Sequence, residues 1–206
     1  MPVERKILIL FAHPAFHRSH ANLRMIQAVD DMPGVTLHDL CEEYPDFNIN
    51  VAHEQEALLS HDVVVLQHPF YWYNAPALLK EWQDLVLEYG FAYGPGGDRL
   101  HGKLLLSAVT TGAGGPAYCR EDSNYFNMHE LLAPFHQIAR FCGMRWVPPF
   151  VVHGTLQEGD EFFRDAAESY RAALEGLRDG TIDVDHLPAD RLLNTAVTTE
   201  AAANAR

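Results

Sequence analysis

Three short stretches of the 206-residue sequence combine residue types at spacings that could do chemistry. The first, Ala12-His13-Pro14-Ala15-Phe16-His17-Arg18-Ser19-His20-Ala21-Asn22, runs into a segment of helical character. Ser19 and Asn22 would then stand at a helix start, where free amides and hydroxyls hold a phosphate without net positive charge. The plainer alternative is that Ser19 only caps its own helix. The stretch carries neither the Gly-x-Gly-x-x-Gly dinucleotide fingerprint nor the Walker pattern. The second stretch, His68-Pro69-Phe70-Tyr71-Trp72-Tyr73-Asn74-Ala75-Pro76, places four consecutive aromatics directly after an apolar run, where polar turn residues are usual. A flat heteroaromatic ligand would explain both the rings and the proline-restrained backbone. One or two of the rings are expected to pack into a satellite core or a subunit interface instead. The third, Thr110-Thr111-Gly112-Ala113-Gly114-Gly115-Pro116-Ala117-Tyr118, has glycines that let amides approach a ligand closely, with a hydroxyl at Thr111.

For these stretches to meet, the chain must bring them to one edge. Apolar runs of four to seven residues alternate with amphipathic stretches, the pattern of an α/β sheet wound on both faces. Strands are expected at Lys6 to Ala12, Val35 to Asp39, Val63 to Gln67, Lys103 to Thr110 and Met144 to Val152. The first, third and fourth are almost unbroken Ile/Leu/Val and should be central. Helices fit about Ser19 to Asp31, Val51 to Ser60, Pro76 to Tyr89, Met128 to Cys142 and Gly159 to Arg178. In the third, Pro76 fits the first turn, Leu78, Leu79, Trp82, Leu85 and Val86 share one face, and Gly90 ends it. A glycine-dense connection runs from Gly90 to Gly102. In a five-stranded parallel order 2-1-3-4-5, ligands sit outside the carboxyl ends of strands 1 and 3, beside strand 4. All three stretches follow those strands. Residues 1–180 are read as one domain and 181–206 as a C-terminal tail, flexible or lying on a partner subunit.

Fifteen Lys and Arg against 28 Asp and Glu leave a formal charge of −13, so no general positive field favours a nucleic acid. An anionic ligand must then be held by local donors, with Arg18 and Arg120 expected as basic residues at the mouth. The three cysteines, Cys41, Cys119 and Cys142, are odd in number and form no Cys-x-x-Cys pair, which argues against a disulfide framework and a thiolate zinc site. His17 and His20 have no acidic or cysteine partner at ligand spacing, so no metal is expected. No apolar run nears the roughly 20 residues needed to span a bilayer, and a cytoplasmic protein is expected.

The ordered motifs resemble a known family. They are His13-Pro14 with Ser19-His20-Ala21-Asn22, Gln67-His68-Pro69 with Trp72-Tyr73, and Leu78-Leu79-Lys80 with Trp82. Gly90-Phe91-Ala92-Tyr93-Gly94, Leu100-His101-Gly102-Lys103, Thr110-Thr111-Gly112 and Trp146-Val147-Pro148-Pro149-Phe150 continue the series. Together these residues resemble the flavodoxin-like NAD(P)H:quinone oxidoreductases, nearest the ancillary oxidoreductase of the glutathione-regulated potassium efflux system. The resemblance implies a flavodoxin-like sheet with helices on both faces and a flavin, FMN or FAD, reduced by NAD(P)H and reoxidised by a quinone in a ping-pong reaction. It places the flavin phosphate at Ser19, His20, Ala21 and Asn22 near His13. The ring edge would lie between Pro69, Phe70, Tyr71 and Trp72 on one side and Thr110, Thr111, Gly112, Ala113 and Gly115 on the other. It also implies a homodimer, and contact with a potassium efflux antiporter that would bring the protein to the inner membrane. In the vertebrate-like members a Tyr and a His relay a proton; Tyr118 matches the first, while the second position falls near Asn124, which is not a histidine.

Overall fold

A computed structural model describes residues 4–156, 159–188 and 190–195. The chain begins with β1 (Ile7–Phe11), a 3-10 turn at Phe16–Arg18 and α1 (His20–Val29), then β2 (Val35–Asp39), α2 (Leu40–Glu43) and α3 (Val51–Ser60). It continues with β3 (Val63–Pro69), α4 (Ala77–Val86), β4 (Leu104–Thr110), α5 (Met128–Leu131), α6 (Ala133–Phe141), β5 (Arg145–Val152) and α7 (Asp160–Asp179). The five strands are parallel in the order β2-β1-β3-β4-β5, the flavodoxin-like arrangement that the family resemblance implies.

Alternation along the strands divides the core into two layers. Ile7, Ile9, Phe11, Val63 and Val65 pack under α1 and α7, with Met25, Val29, Tyr170, Leu174 and Leu177. Leu8, Leu10, Val64 and Leu66 pack under α3, α4 and α6, with Leu58, Leu79, Trp82, Val86 and Phe135. Covering on both faces is why β1, β3 and β4 are continuously apolar. At the outer strand, Pro148 and Pro149 coincide with a register irregularity between Leu106 and Ala108, since proline cannot donate to a ladder.

Several boundaries differ from the sequence expectation, each for a local reason. β3 runs two residues further, pairing His68 with Val109 and Pro69 with Thr110, so the aromatic loop starts at Phe70. Pro76 is the residue before α4 rather than in its first turn, with extended backbone at φ −54 and ψ 149. That helix ends at Val86, where the Leu87 amide bonds to Gln83 O; Gly90 instead forms a separate turn at φ +82. The single helix expected over 128–142 is two helices, because Pro134 has no amide to offer the carbonyl of Glu130. The unanticipated α2 starts where the Asp39 carboxylate accepts from the amides of Cys41 and Glu42.

Beyond α7, Ile182 and Leu193 are buried in the α1/α7 layer. The Asn194 amide pairs with both backbone groups of Val151, at 2.9 and 3.0 Å, closing part of the outer edge of β5. Residues 196–206 of the expected tail lie outside the described residues. No described helix is long and apolar enough to cross a membrane.

Candidate functional site

A cavity of about 850 Å³ opens at the carboxyl ends of β1, β3 and β4, where the strand order reverses. Its walls are His13, Ala15, Arg18, Ser19, His20, Ala21, Pro69, Phe70, Tyr71, Trp72, Thr110, Gly112, Thr155 and Leu156. Ten of the fourteen expected cofactor residues therefore line it. Asn22, Thr111, Ala113 and Gly115 do not; Asn22 lies behind the wall, bonded to Ser19 and Thr110.

The floor is a buried chain of hydrogen bonds. The Tyr170 hydroxyl of α7 donates to Gln67 Oε1 at 2.9 Å, and Gln67 Nε2 donates to Asn22 Oδ1 at 3.2 Å. Asn22 Nδ2 donates to Thr110 Oγ1 at 3.0 Å and to Ser19 Oγ at 3.1 Å. The Asn22 amide also donates to Ser19 Oγ, so Ser19 does cap α1. Because Ser19 Oγ and Thr110 Oγ1 act as acceptors in these bonds, each keeps its own hydroxyl proton for a ligand. Asn22 has spent its side chain on the scaffold and is fully buried.

Around this floor stand donors that nothing among the described residues uses. The His20 and Ala21 amides, at the N-terminal turn of α1, donate to nothing among the described residues, and neither do those of Gly112, Ala113, Gly114 and Gly115. The Arg18 guanidinium also has no partner among the described residues. Arg120, the other cation expected at the mouth, is engaged elsewhere: it pairs with Glu130 and lies 5.6 Å over the Tyr125 ring. His13 Nδ1 accepts from the Ala15 amide at 3.1 Å, so its neutral ring carries its proton on Nε2. Burial lowers the His13 pKa and favours that neutral form.

The aromatic loop is strained where it meets solvent. Tyr71 and Asn74 exchange two backbone hydrogen bonds of 3.0 Å, and the residues between them, Trp72 and Tyr73, have φ of +48 and +64. Bulky side chains rarely adopt that region, and such strain concentrates at functional surfaces. The turn leaves Trp72 93% exposed. Phe70 turns inward against Tyr73 and Tyr118, the packing role expected for one or two of the rings. The Tyr71 ring meets His13 edge-on at 6.1 Å.

Tyr118 and Asn124 lie beside this loop and outside the lining of the cavity. Asn124 Oδ1 accepts from the Tyr73 hydroxyl at 3.0 Å and its Nδ2 donates to Ala117 O at 2.9 Å, which staples two loops together. The imidazole next to Tyr118 comes instead from His153, just past β5, with ring centroids 5.1 Å apart. Thr111 Oγ1 donates its proton to Ala113 O at 2.8 Å, so the 2.9 Å contact with His153 Nδ1 requires that nitrogen to be the donor. The lone pair of His153 then resides on Nε2, and burial lowers its pKa, keeping the ring neutral. His153, Thr155 and Leu156 escaped the sequence reading because the loop after the fifth strand carries neither a glycine run nor an aromatic cluster. Its signal was positional, since it leaves the same edge of the sheet as the other three.

A family model described as a flavodoxin-like fold matches residues 5–175 of the chain. Among solved structures, the general stress protein 14 of Treponema denticola, determined in complex with FMN, is 36% identical, covering 84% of this chain and 99% of its own, with a TM-score of 0.80. An NADPH-quinone reductase from P. pentosaceus is 34% identical over 81% of this chain and 95% of its own, with a TM-score of 0.74. A protein described as a thermophilic tryptophan halogenase from Streptomycin violaceusniger is 41% identical over 80% of this chain and 95% of its own, with a TM-score of 0.78.

Proposed function

The chain belongs to the flavodoxin-like fold family, and from that membership we propose that it is an FMN-dependent NAD(P)H:quinone oxidoreductase working by two-electron hydride transfer. The observation that carries this reading is the set of unused donors around one cavity at the switch point of the sheet. The amides of His20 and Ala21, the Ser19 hydroxyl and Arg18 suit a phosphate; the amide of Gly112 in the wall, continued by the free amides of Ala113 to Gly115 next to it in the chain, suits the polar edge of a flat ring system. Two relatives add support, one solved with FMN and one named a quinone reductase. Of the activities that the relatives' names carry, hydride transfer is adopted because it asks the protein mainly for orientation and fixed dipoles, which these residues supply.

When bound, FMN supplies the hydride exchange, from NAD(P)H in one half-reaction and to a quinone in the next. The chain's own part is to hold and shield. The Gly112 to Gly115 amides are fixed by the Thr111–Ala113 bond and by Gly154 N to Ala113 O at 2.9 Å, so they meet developing negative charge without reorganising. Neutral His153, with its acceptor on Nε2, and the Tyr118 hydroxyl are assigned the proton handling, in place of the Tyr118 and Asn124 pair that the motif spacing suggests. Trp72 and Leu156, 93% and 85% exposed, flank the opening, and a second copy of the chain closing over them is the proposed homodimer interface.

The test is direct: the purified protein should be yellow, release FMN identified by chromatography and mass, and reduce menadione with NAD(P)H. A colourless protein that stays silent with added FMN overturns the reading. The resemblance to the potassium efflux subunit adds a second reading, a regulatory partner of an efflux antiporter whose redox activity is secondary. Its support is the ordered motif series from His13-Pro14 to Phe150, and its test is co-purification with such a transporter.

A further inference from the structure

Away from the cavity, on the face of the sheet covered by α3 and α4, four metal-ligating side chains converge. His38 lies at the end of β2, Glu43 in α2, and His53 and Glu54 in α3; one ligand atom from each lies within 4.8 Å of the others. Neither nearest contact in the group is a hydrogen bond. His38 Nδ1 faces Glu54 Oε1 at 3.6 Å, and His53 Nε2 faces Glu43 Oε2 at 4.0 Å. His38 Nδ1 is buried and has no hydrogen-bond partner among the described residues, an expensive arrangement for a polar atom. We propose that His38, Glu43, His53 and Glu54 bind one divalent transition-metal ion of the zinc class.

The spacing suits such an ion. With ligands about 2.0 to 2.1 Å from a tetrahedral centre, neighbouring ligand atoms stand about 3.3 Å apart, so the 3.6 and 4.0 Å contacts close by side-chain adjustment alone. The two imidazoles are already nearly parallel, 7° apart with centroids at 5.4 Å. Two imidazoles and two carboxylates form a nitrogen and oxygen set that suits zinc and disfavours magnesium or calcium, which take oxygen alone. The two carboxylates balance the ion's charge.

Surrounding groups already hold the buried half in place. Glu54 is fully buried; its Oε1 accepts from the Tyr44 hydroxyl and its Oε2 from Trp82 Nε1, both at 2.8 Å, the outer hydrogen bonding that orients a ligating carboxylate. A buried anion needs a countercharge, and a proton on His38 or a metal can supply it. His53 and Glu43, with side chains 51% and 38% exposed, give the ion a path in from solvent.

The test uses the full-length protein, stripped by a chelator and titrated with Zn²⁺ in competition with a chromophoric chelator. One equivalent should bind, and Co²⁺ in its place should give the visible absorption of a four-coordinate ion. His53→Ala and Glu43→Gln, both changes at the surface, should retain the native circular dichroism and each weaken Zn²⁺ binding by at least about 100-fold. His186→Ala, a control at an exposed histidine, should bind like the parent. Absence of a bound equivalent overturns the site. So does His53→Ala binding Zn²⁺ as the parent does, in which case His38 and Glu54 form only a proton-linked pair.

Discussion

Asn22 Nδ2 donates to Thr110 Oγ1 across 3.0 Å, tying the first turn of α1 to the carboxyl end of β4. The same carboxamide receives the Gln67 side chain, which in turn receives Tyr170 from α7, so a chain through one buried amide fixes the relative position of four elements, α1, β3, β4 and α7. Asn22→Ala leaves Gln67 Nε2 without an acceptor and removes the donor to Thr110. Stability should fall by about 1–3 kcal/mol, the cost of stranding buried polar groups. FMN affinity should fall with it, because Ser19 and Thr110 are no longer held at fixed separation. Urea denaturation and flavin titration on the same variant measure both, and loss of stability with unchanged flavin affinity would confine Asn22 to a purely structural role.

Arg18 and, after it, Arg120 were the basic residues that the sequence offered at the mouth, both next to a loop of the site. The structure separates them through their partners. Arg120 is neutralised by Glu130, whereas Arg18 lines the cavity with its charge uncompensated. On a chain of net charge −13, that one cation matters for an approaching phosphate. Arg18→Ala should raise the apparent Kd for FMN about 5- to 10-fold and flatten its dependence on salt, while Arg120→Ala should do neither. Titrations at two ionic strengths distinguish the cases, and equal effects of the two substitutions would remove the distinction.

The strand order was legible because β1, β3 and β4 are buried on both faces and so cannot hide their apolar runs. The three loops were legible because residues that bind phosphate or a flat ring, namely a capping serine, adjacent aromatics and clustered glycines, are conspicuous beside those runs. Three kinds of feature were not legible. Pro134 splitting a helix depends on where the preceding turn ends, and His153 beside Tyr118 depends on how the loops after β4 and β5 fold against each other, which the strand order alone does not give. The His38, Glu43, His53 and Glu54 group depends on α3 folding back over β2, and no spacing along the chain announces it.

His153 offers a kinetic test of the proton assignment. Its Nδ1 is committed to Thr111 and its pKa is lowered by burial, so the imidazole stays neutral at pH values where a free histidine would be charged. If its Nε2 and the Tyr118 hydroxyl pass the proton, the steady-state rate should hold level as pH falls through about 6.5 and decline only below it. His153→Ala should lower kcat by about 100-fold with little change in flavin content. A variant that keeps parental kcat and pH profile would assign the proton to solvent.

His68 sets how the fold responds to acid. It is completely buried at the end of β3, its Nδ1–H donating to Pro69 O at 2.9 Å, with Nε2 lacking a partner among the described residues and the ring against Phe135. Burial lowers its pKa from 6.5 to about 4. The native state therefore holds the neutral ring, while the unfolded chain takes up a proton as pH drops through 6.5. Stability is complete above pH 6.5 and is lost progressively as pH falls towards 4, below which both states are protonated and this contribution changes no further. A displacement from 6.5 to about 4 corresponds to about 3 kcal/mol across that window. His68→Leu retains the apolar contact with Phe135 and has nothing to protonate. Urea midpoints measured at pH 7 and pH 4 should therefore differ far less in this variant than in the parent. If the two proteins lose stability in parallel, the acid sensitivity belongs to the other histidines whose pKa values burial lowers, His13, His61, His129, His136 and His153, and His68 is neutral without consequence.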